Sequence, residues 1–169
     1  PWGVVSLTDS VATPDGTAEG RAARYAAMRD IVDKSFAPFA RRIASYRKAR
    51  DGIRLLGTSG TVTTLASLHL ELPQYDRRAV DGLIVPSASM RNISTRLSTM
   101  SEAERGTLPC IGDDRANLVV AGCAILESIL DIWPARELAV ADRGIREGIL
   151  RSLIAADAER ERSRVQLQR

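Results

Sequence analysis

Residues 53–66 of the chain read IRLLGTSGTVTTLA. A short apolar run is followed by a turn of glycine, serine and threonine, and then by a run in which apolar residues recur at helical spacing. This order predicts a β-strand, a tight loop and the start of a helix. The first backbone N–H groups of a helix have no partner within the helix and lie at the positive end of its dipole. The loop therefore indicates an anion-binding site.

The five loop residues have the chemistry that such a site needs. Gly57 and Gly60 allow a positive φ and a close approach of the backbone to a ligand, and Thr58, Ser59 and Thr61 provide hydroxyl groups and N-caps. The loop differs from the G-x-x-x-x-G-K-S/T motif of nucleoside triphosphatases, because it has no lysine, and it lacks the dinucleotide pattern G-x-G-x-x-G. The residues alone leave two interpretations open, a phosphate-binding loop and a capped turn.

Composition and charge restrict the class of protein. The 169 residues are 44% hydrophobic and 27% charged, which is typical of one globular domain. A net charge of +3 suits an anionic ligand but is too small to indicate nucleic-acid binding, and 4% aromatic residues are too few for a base-stacking platform. No apolar run approaches the roughly 18 residues of a membrane span, so we expect no membrane partner.

Cysteine and histidine, the usual zinc ligands, are scarce in this sequence. Cys110, Cys123 and the single histidine make neither a disulfide framework nor a metal site, and they favour a reducing, cytoplasmic location. Ser59 and Thr61 lack a His/Asp relay, and Asp142 has no second carboxylate at useful spacing. We therefore predict no catalytic residue and no metal ligand in this chain.

The remaining elements follow from periodicity and turn chemistry. Residues 3–8 alternate and predict a strand, and the helix that follows is expected to break or kink at Pro38. Residues 79–85 predict a strand or an extended segment. Residues 118–132 predict the most apolar helix, in which Gly122 costs about 1 kcal/mol relative to alanine and so indicates close packing of another backbone. Other predicted features are a basic helix end at residues 47–50, a helix from Pro86, a capping box at 101–104, a strand at 138–141 and a helix after Gly144.

Four stretches resemble the Ppx/GppA phosphatases, the exopolyphosphatase and guanosine pentaphosphate phosphohydrolase family of the actin/Hsp70/acetate-kinase superfamily. Residues 57–66 are similar to the family's domain II loop, and residues 2–8 to its strand G-A-V-R-L-T. Residues 114–122 resemble its helix R-A-D-x-I-x-A-G, and residues 141–150 its segment S-D-R-G-L-R-E-G-I-L. Because the four matches occur in the family's order, the resemblance is specific.

The resemblance implies an α/β fold with few strands and about six helices. The expected architecture is an RNase H-like lobe, incomplete at its N-terminal strands, over residues 1–156, with a charged tail at residues 157–169. The family's first phosphate loop, catalytic glutamate and Asp-Ile-Gly-Gly-Gly-Ser metal loop precede the matched part. We therefore expect the catalytic glutamate and the Mg²⁺ ligands upstream of Pro1, on a missing N-terminal lobe, and an inactive isolated chain.

The resemblance also implies a reaction. The complete enzyme would use Mg²⁺ and a water molecule to release terminal phosphate from polyphosphate or guanosine pentaphosphate. Phosphoryl transfer depends mainly on positioning and charge stabilisation, so this chain would contribute loop N–H groups and arginines. A homodimer stays open as a partner, and the composition indicates neither a nucleic-acid nor a membrane partner. Two other functions stay open: a lobe of an acetate- or sugar-kinase-like phosphotransferase, and a non-catalytic module that binds a nucleotide or a partner protein.

Arg115 and Arg143 are the arginines at the family's motif positions, and the resemblance implies that both bind phosphate. The residues alone also allow structural ion pairs, of Arg115 with Asp113 or Asp114 and of Arg143 with Asp142.

Overall fold

The computed structural model describes residues 2–13, 16–44 and 54–166. Within them the elements are α1 (Val4–Asp9), α2 (Ala18–Arg42), β1 (Leu55–Gly57), α3 (Gly60–His69), α4 (Arg77–Val80), β2 (Ile84–Pro86), α5 (Ser87–Thr99), α6 (Glu102–Gly106), α7 (Asp113–Ala116), α8 (Val119–Ile132), β3 (Glu137–Val140) and α9 (Ile145–Gln166). The predicted basic cluster at residues 47–50 and the predicted strand start at Ile53 lie outside the described residues. The fold is α/β, as expected, with a small sheet and many helices.

The three strands form one mixed sheet in the order β1-β3-β2. β1 runs parallel to β3, and β2 runs antiparallel to it, so that Leu56 and Ile84 both lie opposite Ala139. Val85 and Leu138 are buried on the face against which α3 and α5 pack. On the opposite face Leu56 is 64% and Ile84 56% exposed. The helices therefore cover one face of the sheet.

The core is organised around α8, as its apolar sequence predicts. This helix packs against α1, α2, α3 and α5, and ten of its residues are buried. Its acidic residues bind α2 through an arginine, since Arg29 contacts Glu127 at 2.6 Å and also pairs with Asp131. Buried Glu127 thus has a charged partner, which offsets the cost of removing a carboxylate from water.

The predicted strand at residues 3–8 is wrong, because this segment is helix α1. Leu7 and Thr8 are buried and Val4 is half-buried, whereas Val5 is 56% exposed. Burial therefore recurs every three to four residues instead of alternating. The Gly3 N–H donates to Ser6 Oγ at 3.0 Å and the Thr8 hydroxyl donates to the Val4 carbonyl at 2.7 Å, so the turn is also stabilised locally.

Two further predictions need correction. Of the break or kink expected at Pro38, the break does not occur, since α2 runs on to Arg42; the proline and the residue four positions before it, Lys34, lie on the exposed side of the helix. A carbonyl left without its helical partner there can bind water. The segment at residues 79–85 is only partly extended: α4 includes Val80, and β2 starts at Ile84.

Helix α9 continues beyond the point where the charged tail was expected to begin. It runs to Gln166 and therefore includes residues 158–166 of that segment. Its apolar side chains are exposed: Ile145, Ile149, Leu150, Leu153 and Ile154. Over the described part of the chain, none of the helices combines the length and apolarity that crossing a membrane requires.

Candidate functional site

The loop between β1 and α3 is shorter than predicted. The strand ends at Gly57, Thr58 and Ser59 form the connection, and Gly60 and Thr61 already belong to the first turn of α3. Ser59 is the N-cap, and its Oγ accepts the Val62 N–H at 3.3 Å. The order of strand, loop and helix is therefore confirmed for the described residues.

The first N–H groups of α3 point out of the helix without an acceptor. Because Ser59 takes the N–H groups of Val62 and Thr63, those of Gly60 and Thr61 are the ones that have no acceptor within the described residues. No acidic residue stands in the first turn of α3. Ser59 and Gly60 are exposed. The positive end of this helix is therefore open to an anion.

Helix α9 starts beside α3, but its N-terminus is already occupied. The strands β1 and β3 are parallel, and the Ala141 N–H donates to the Gly57 carbonyl at 2.9 Å, so the loops after the two strands lie side by side. The pKa of Glu147 is lowered by hydrogen bonds from its own backbone N–H and from that of Gly144. The Glu147 carboxylate therefore caps α9. Of the two helices, α3 is the one whose N-terminus can accept an anion.

Gly57 and Gly60 do not use the positive φ that the sequence suggested. The glycines with positive φ among the described residues are Gly16, Gly82 and Gly112. At Gly57 the reason for glycine is packing, because a Cβ there would lie 2.7 Å from Val62 Cγ1. This contact lets the first turn of α3 fold close over the end of β1.

Arg115 lies beside the start of α3. A Cβ on Gly60 would be 3.9 Å from Arg115 Nη1, which puts the guanidinium next to the open N-terminus. The alternative ion pairs of Arg115 with Asp113 and Asp114 are not formed between these described residues. Asp113 instead contacts the backbone of Gly106, since a Cβ there would lie 2.5 Å from Asp113 Oδ1. The structure thus brings Arg115 and the loop together.

Arg143 makes an ion pair, but with a different acid from the one expected. Its Nε lies 3.7 Å from Asp81 Oδ2, and its side chain is 58% exposed. Asp142 pairs instead with Arg77, whose Nε lies 2.9 Å from Asp142 Oδ2 and whose Nη2 donates to the Asp142 carbonyl at 2.8 Å. The Asp142 N–H in turn donates to Asp81 Oδ1 at 3.0 Å. These contacts hold the loop after β3 in place.

Residues 75–81 support the site, a role that the sequence analysis did not assign to them. Partial burial, followed by interaction with the Asp142 carboxylate, raises the pKa of Tyr75 to about 12, and its hydroxyl also faces Thr63 on α3. The phenol is therefore neutral at physiological pH. The sequence feature that could have predicted α4 is Asp76, a typical N-cap residue. Its Oδ1 accepts the Arg78 N–H at 2.8 Å at the start of the helix.

Thr61 faces the core and not the open end of the helix. A Cβ on Gly122 would lie 2.1 Å from Thr61 Oγ1 and 2.7 Å from Thr61 Cγ2. The close packing that Gly122 indicated therefore exists, although a side chain and not a backbone makes it. The Thr61 hydroxyl is directed at α8, so this residue offers its backbone N–H and not its side chain to a ligand.

Comparison with known families gives one clear match. The Ppx/GppA phosphatase family profile matches residues 1–156. Exopolyphosphatase 2 of Mycobacterium tuberculosis is 29% identical over 102 residues, which cover 58% of this chain and 32% of that protein.

Solved structures of the same family share the fold. The Aquifex aeolicus member of the Ppx/GppA family matches with a TM-score of 0.74 and 25% identity, over 93% of this chain and 48% of that one. An exopolyphosphatase from Cytophaga hutchinsonii, at 19% identity, matches with a TM-score of 0.66 over 78% of this chain and 42% of that one. The chain thus spans about half the length of these solved relatives and about a third of the mycobacterial protein.

Proposed function

Since the chain belongs to the Ppx/GppA phosphatase family, we propose that it is the phosphate-holding lobe of a phosphohydrolase that acts on inorganic polyphosphate or guanosine pentaphosphate. The family supports a phosphohydrolase in general, and the name of the mycobacterial relative, an exopolyphosphatase, supports polyphosphate. The observation that carries the proposal is the open N-terminus of α3, where the Gly60 and Thr61 N–H groups lie beside the Arg115 guanidinium.

The proposed role is to hold a terminal phosphate while charge develops on it. Backbone N–H groups at a helix start bind phosphate oxygens without rearrangement. The positive charge of arginine attracts the phosphate more strongly as negative charge develops in the transition state. Gly60 keeps the approach free of a side chain. Arg143 stands second to Arg115 in this role, because Asp81 lies 3.7 Å from its Nε and competes with a ligand for it.

The groups that would activate water are proposed to lie outside this chain. Within the described residues, no three His, Cys, Asp or Glu side chains come together as a metal site. We assign the Mg²⁺ ligands and the catalytic glutamate to the other lobe of a complete family enzyme, which is then this chain's partner. Cys110 and Cys123 are free thiols, in keeping with a cytoplasmic location.

Gly60→Val tests the loop. We expect it to weaken binding of tripolyphosphate to the chain at least about tenfold, because a branched side chain would stand between the helix N-terminus and the ligand. The fold has room for it, since the nearest group to a Cβ is Arg115 Nη1 at 3.9 Å. Binding is measured by calorimetry and stability by thermal unfolding.

The matched control is Gly148→Val, at a helical glycine in α9 where a Cβ meets nothing within 4 Å. Both variants replace a helical glycine by valine and so change helix propensity in the same direction, which means that equal unfolding temperatures with unequal affinities would isolate the ligand contact. Wild-type affinity in Gly60→Val would mean that the loop is only a structural turn.

The chain alone is expected to release no phosphate from polyphosphate or guanosine pentaphosphate in the presence of Mg²⁺. It would bind these anions but lack the group that activates water. Phosphate release is measured by a colorimetric assay, with a complete family member such as the Aquifex aeolicus protein as the positive control. Turnover by this chain at the rate of the complete protein would mean that the catalytic groups lie within this chain and would contradict the proposal.

A further inference from the structure

A second polar cleft, of about 500 Å³, lies away from the loop. Val120 lines it, whereas Gly122 on the same helix contacts Thr61 at the start of α3. Successive residues of an α-helix are separated by about 100°, so Val120 and Gly122 face nearly opposite sides of α8. The cleft is therefore distinct from the proposed phosphate loop.

One arginine of the cleft is buried and held rigidly. Arg105 is 5% exposed, and its Nε donates to the Ala116 carbonyl at 2.7 Å. Its Nη1 donates to the carbonyls of Leu97, at 3.2 Å, and Met100. Its other terminal nitrogen, Nη2, has no partner within the described residues. The guanidinium is thus held in place by three hydrogen bonds, and one of its nitrogens remains available to a ligand.

Two more arginines reach the same cleft from α2. The Arg21 Nε donates to the Thr99 carbonyl at 2.6 Å and its Nη1 to the Gly16 carbonyl at 2.7 Å. The Arg24 Nη2 donates to the Thr8 carbonyl at 2.9 Å, while its Nε is buried without a partner in the described structure. Neutral carbonyls therefore position all three guanidinium groups and neutralise none of them.

The charge of the cleft is not balanced by ion pairs. Among the described residues, no carboxylate lies within ion-pair distance of Arg21, Arg24 or Arg105. Asp9 and Glu102 line the cleft but are exposed, so water screens them. Burial lowers the pKa of Arg105; Glu102 opposes this shift, and the charges of Arg21 and Arg24 add to it.

We propose that this cleft binds a phosphate-type oxyanion that carries at least two negative charges. Arginine is the side chain best suited to such ligands, because its planar fork matches two oxygens of a phosphate. An anion here would accept the N–H groups of Arg24 Nη1 and Arg105 Nη2, which the carbonyls leave free, and would relieve the repulsion among the three cations. Thr13, Ser98 and Asn117 provide further hydrogen-bonding groups around it. This site goes beyond the proposed function, which uses the start of α3.

The test is an NMR titration of the arginine Nε–Hε resonances with orthophosphate. We expect saturable shifts for Arg21, Arg24 and Arg105, which are assigned from their loss in the Gln variants, and none with chloride at equal ionic strength. Arg24→Gln should weaken binding at this site at least about tenfold, because a hydrogen bond to a charged group is lost. Arg96→Gln is the matched control, since Arg96 is an exposed arginine on nearby α5.

Two further arms separate this site from the loop and identify the ligand. The shifts should persist in Gly60→Val, so failure of the loop proposal and failure of this one are distinguishable. Tighter binding of tripolyphosphate than of orthophosphate would indicate an extended phosphate chain, and equal binding a single phosphate group. Shifts that do not saturate, that appear equally with chloride, or that Arg96→Gln weakens as much as Arg24→Gln would overturn the proposal.

Discussion

Gly122→Ala is expected to lower the free energy of unfolding by about 3 kcal/mol, the upper part of the range for overpacked cores. The added Cβ would lie 2.1 Å from Thr61 Oγ1 and 2.9 Å from Thr61 Cβ. Rotation of the Thr61 side chain cannot relieve the second contact, because the backbone of α3 fixes the Cβ. The helices α3 and α8 must therefore separate, and this outweighs the gain of about 1 kcal/mol in helix propensity.

The measurement is urea unfolding of the variant against two controls. Gly148→Ala, at an open helical position, should stabilise the chain slightly, because only propensity changes there. The double variant Thr61→Gly/Gly122→Ala should be destabilised by less than the sum of the two single variants, because removing the Thr61 side chain makes room for the new Cβ at position 122. A Gly122→Ala variant as stable as the wild type would contradict the close approach of α3 and α8.

The same contact links the core to the candidate site. Thr61 belongs to the first turn of α3, so a displacement of α3 from α8 moves the N–H groups proposed to bind phosphate. We therefore expect Gly122→Ala to weaken tripolyphosphate binding as well as stability. Under the proposed function, Gly122 would act by positioning the loop.

Local motifs made parts of this fold predictable from sequence. The capping box of α6 is formed as expected, with the Ser101 Oγ accepting the Glu104 N–H at 3.2 Å and the Glu104 carboxylate accepting the Ser101 N–H at 2.7 Å. The turn from β1 to α3 was likewise predictable, because the N-cap serine and the apolar residues of the helix follow one another directly in the sequence. In both cases the partners lie within a few residues of each other.

Contacts between distant parts of the chain explain the errors. Segment 3–8 became a helix because its buried side chains pack against α8, which no short pattern reveals. Arg143 pairs with Asp81 instead of its neighbour Asp142, since α4 packs beside the end of β3 and supplies Arg77 to Asp142. The direction of the Thr61 side chain depends in the same way on a glycine far along the sequence.

Arg115→Gln is expected to reduce the affinity of the chain for tripolyphosphate about 10- to 100-fold, the effect of losing a hydrogen bond from a charged donor. Arg115 is exposed beside Gly60 and has no acidic partner within the described residues, so its charge is available to a ligand. Arg115→Lys should recover only part of the affinity, because lysine keeps the charge but not the fork that binds two oxygens.

Arg143→Gln is the matched comparison, because it removes the same charge from the neighbouring loop. Asp81 Oδ2 lies 3.7 Å from Arg143 Nε and competes with a ligand for this guanidinium, so we expect less than about a threefold loss of affinity. Both arginines are exposed, and neither variant should change the unfolding temperature by more than a surface substitution does. Calorimetry at two salt concentrations measures the effect, and the contribution of Arg115 should weaken as salt increases. A large loss of affinity in Arg143→Gln with none in Arg115→Gln would contradict a phosphate site at the start of α3 and indicate one at the end of β3.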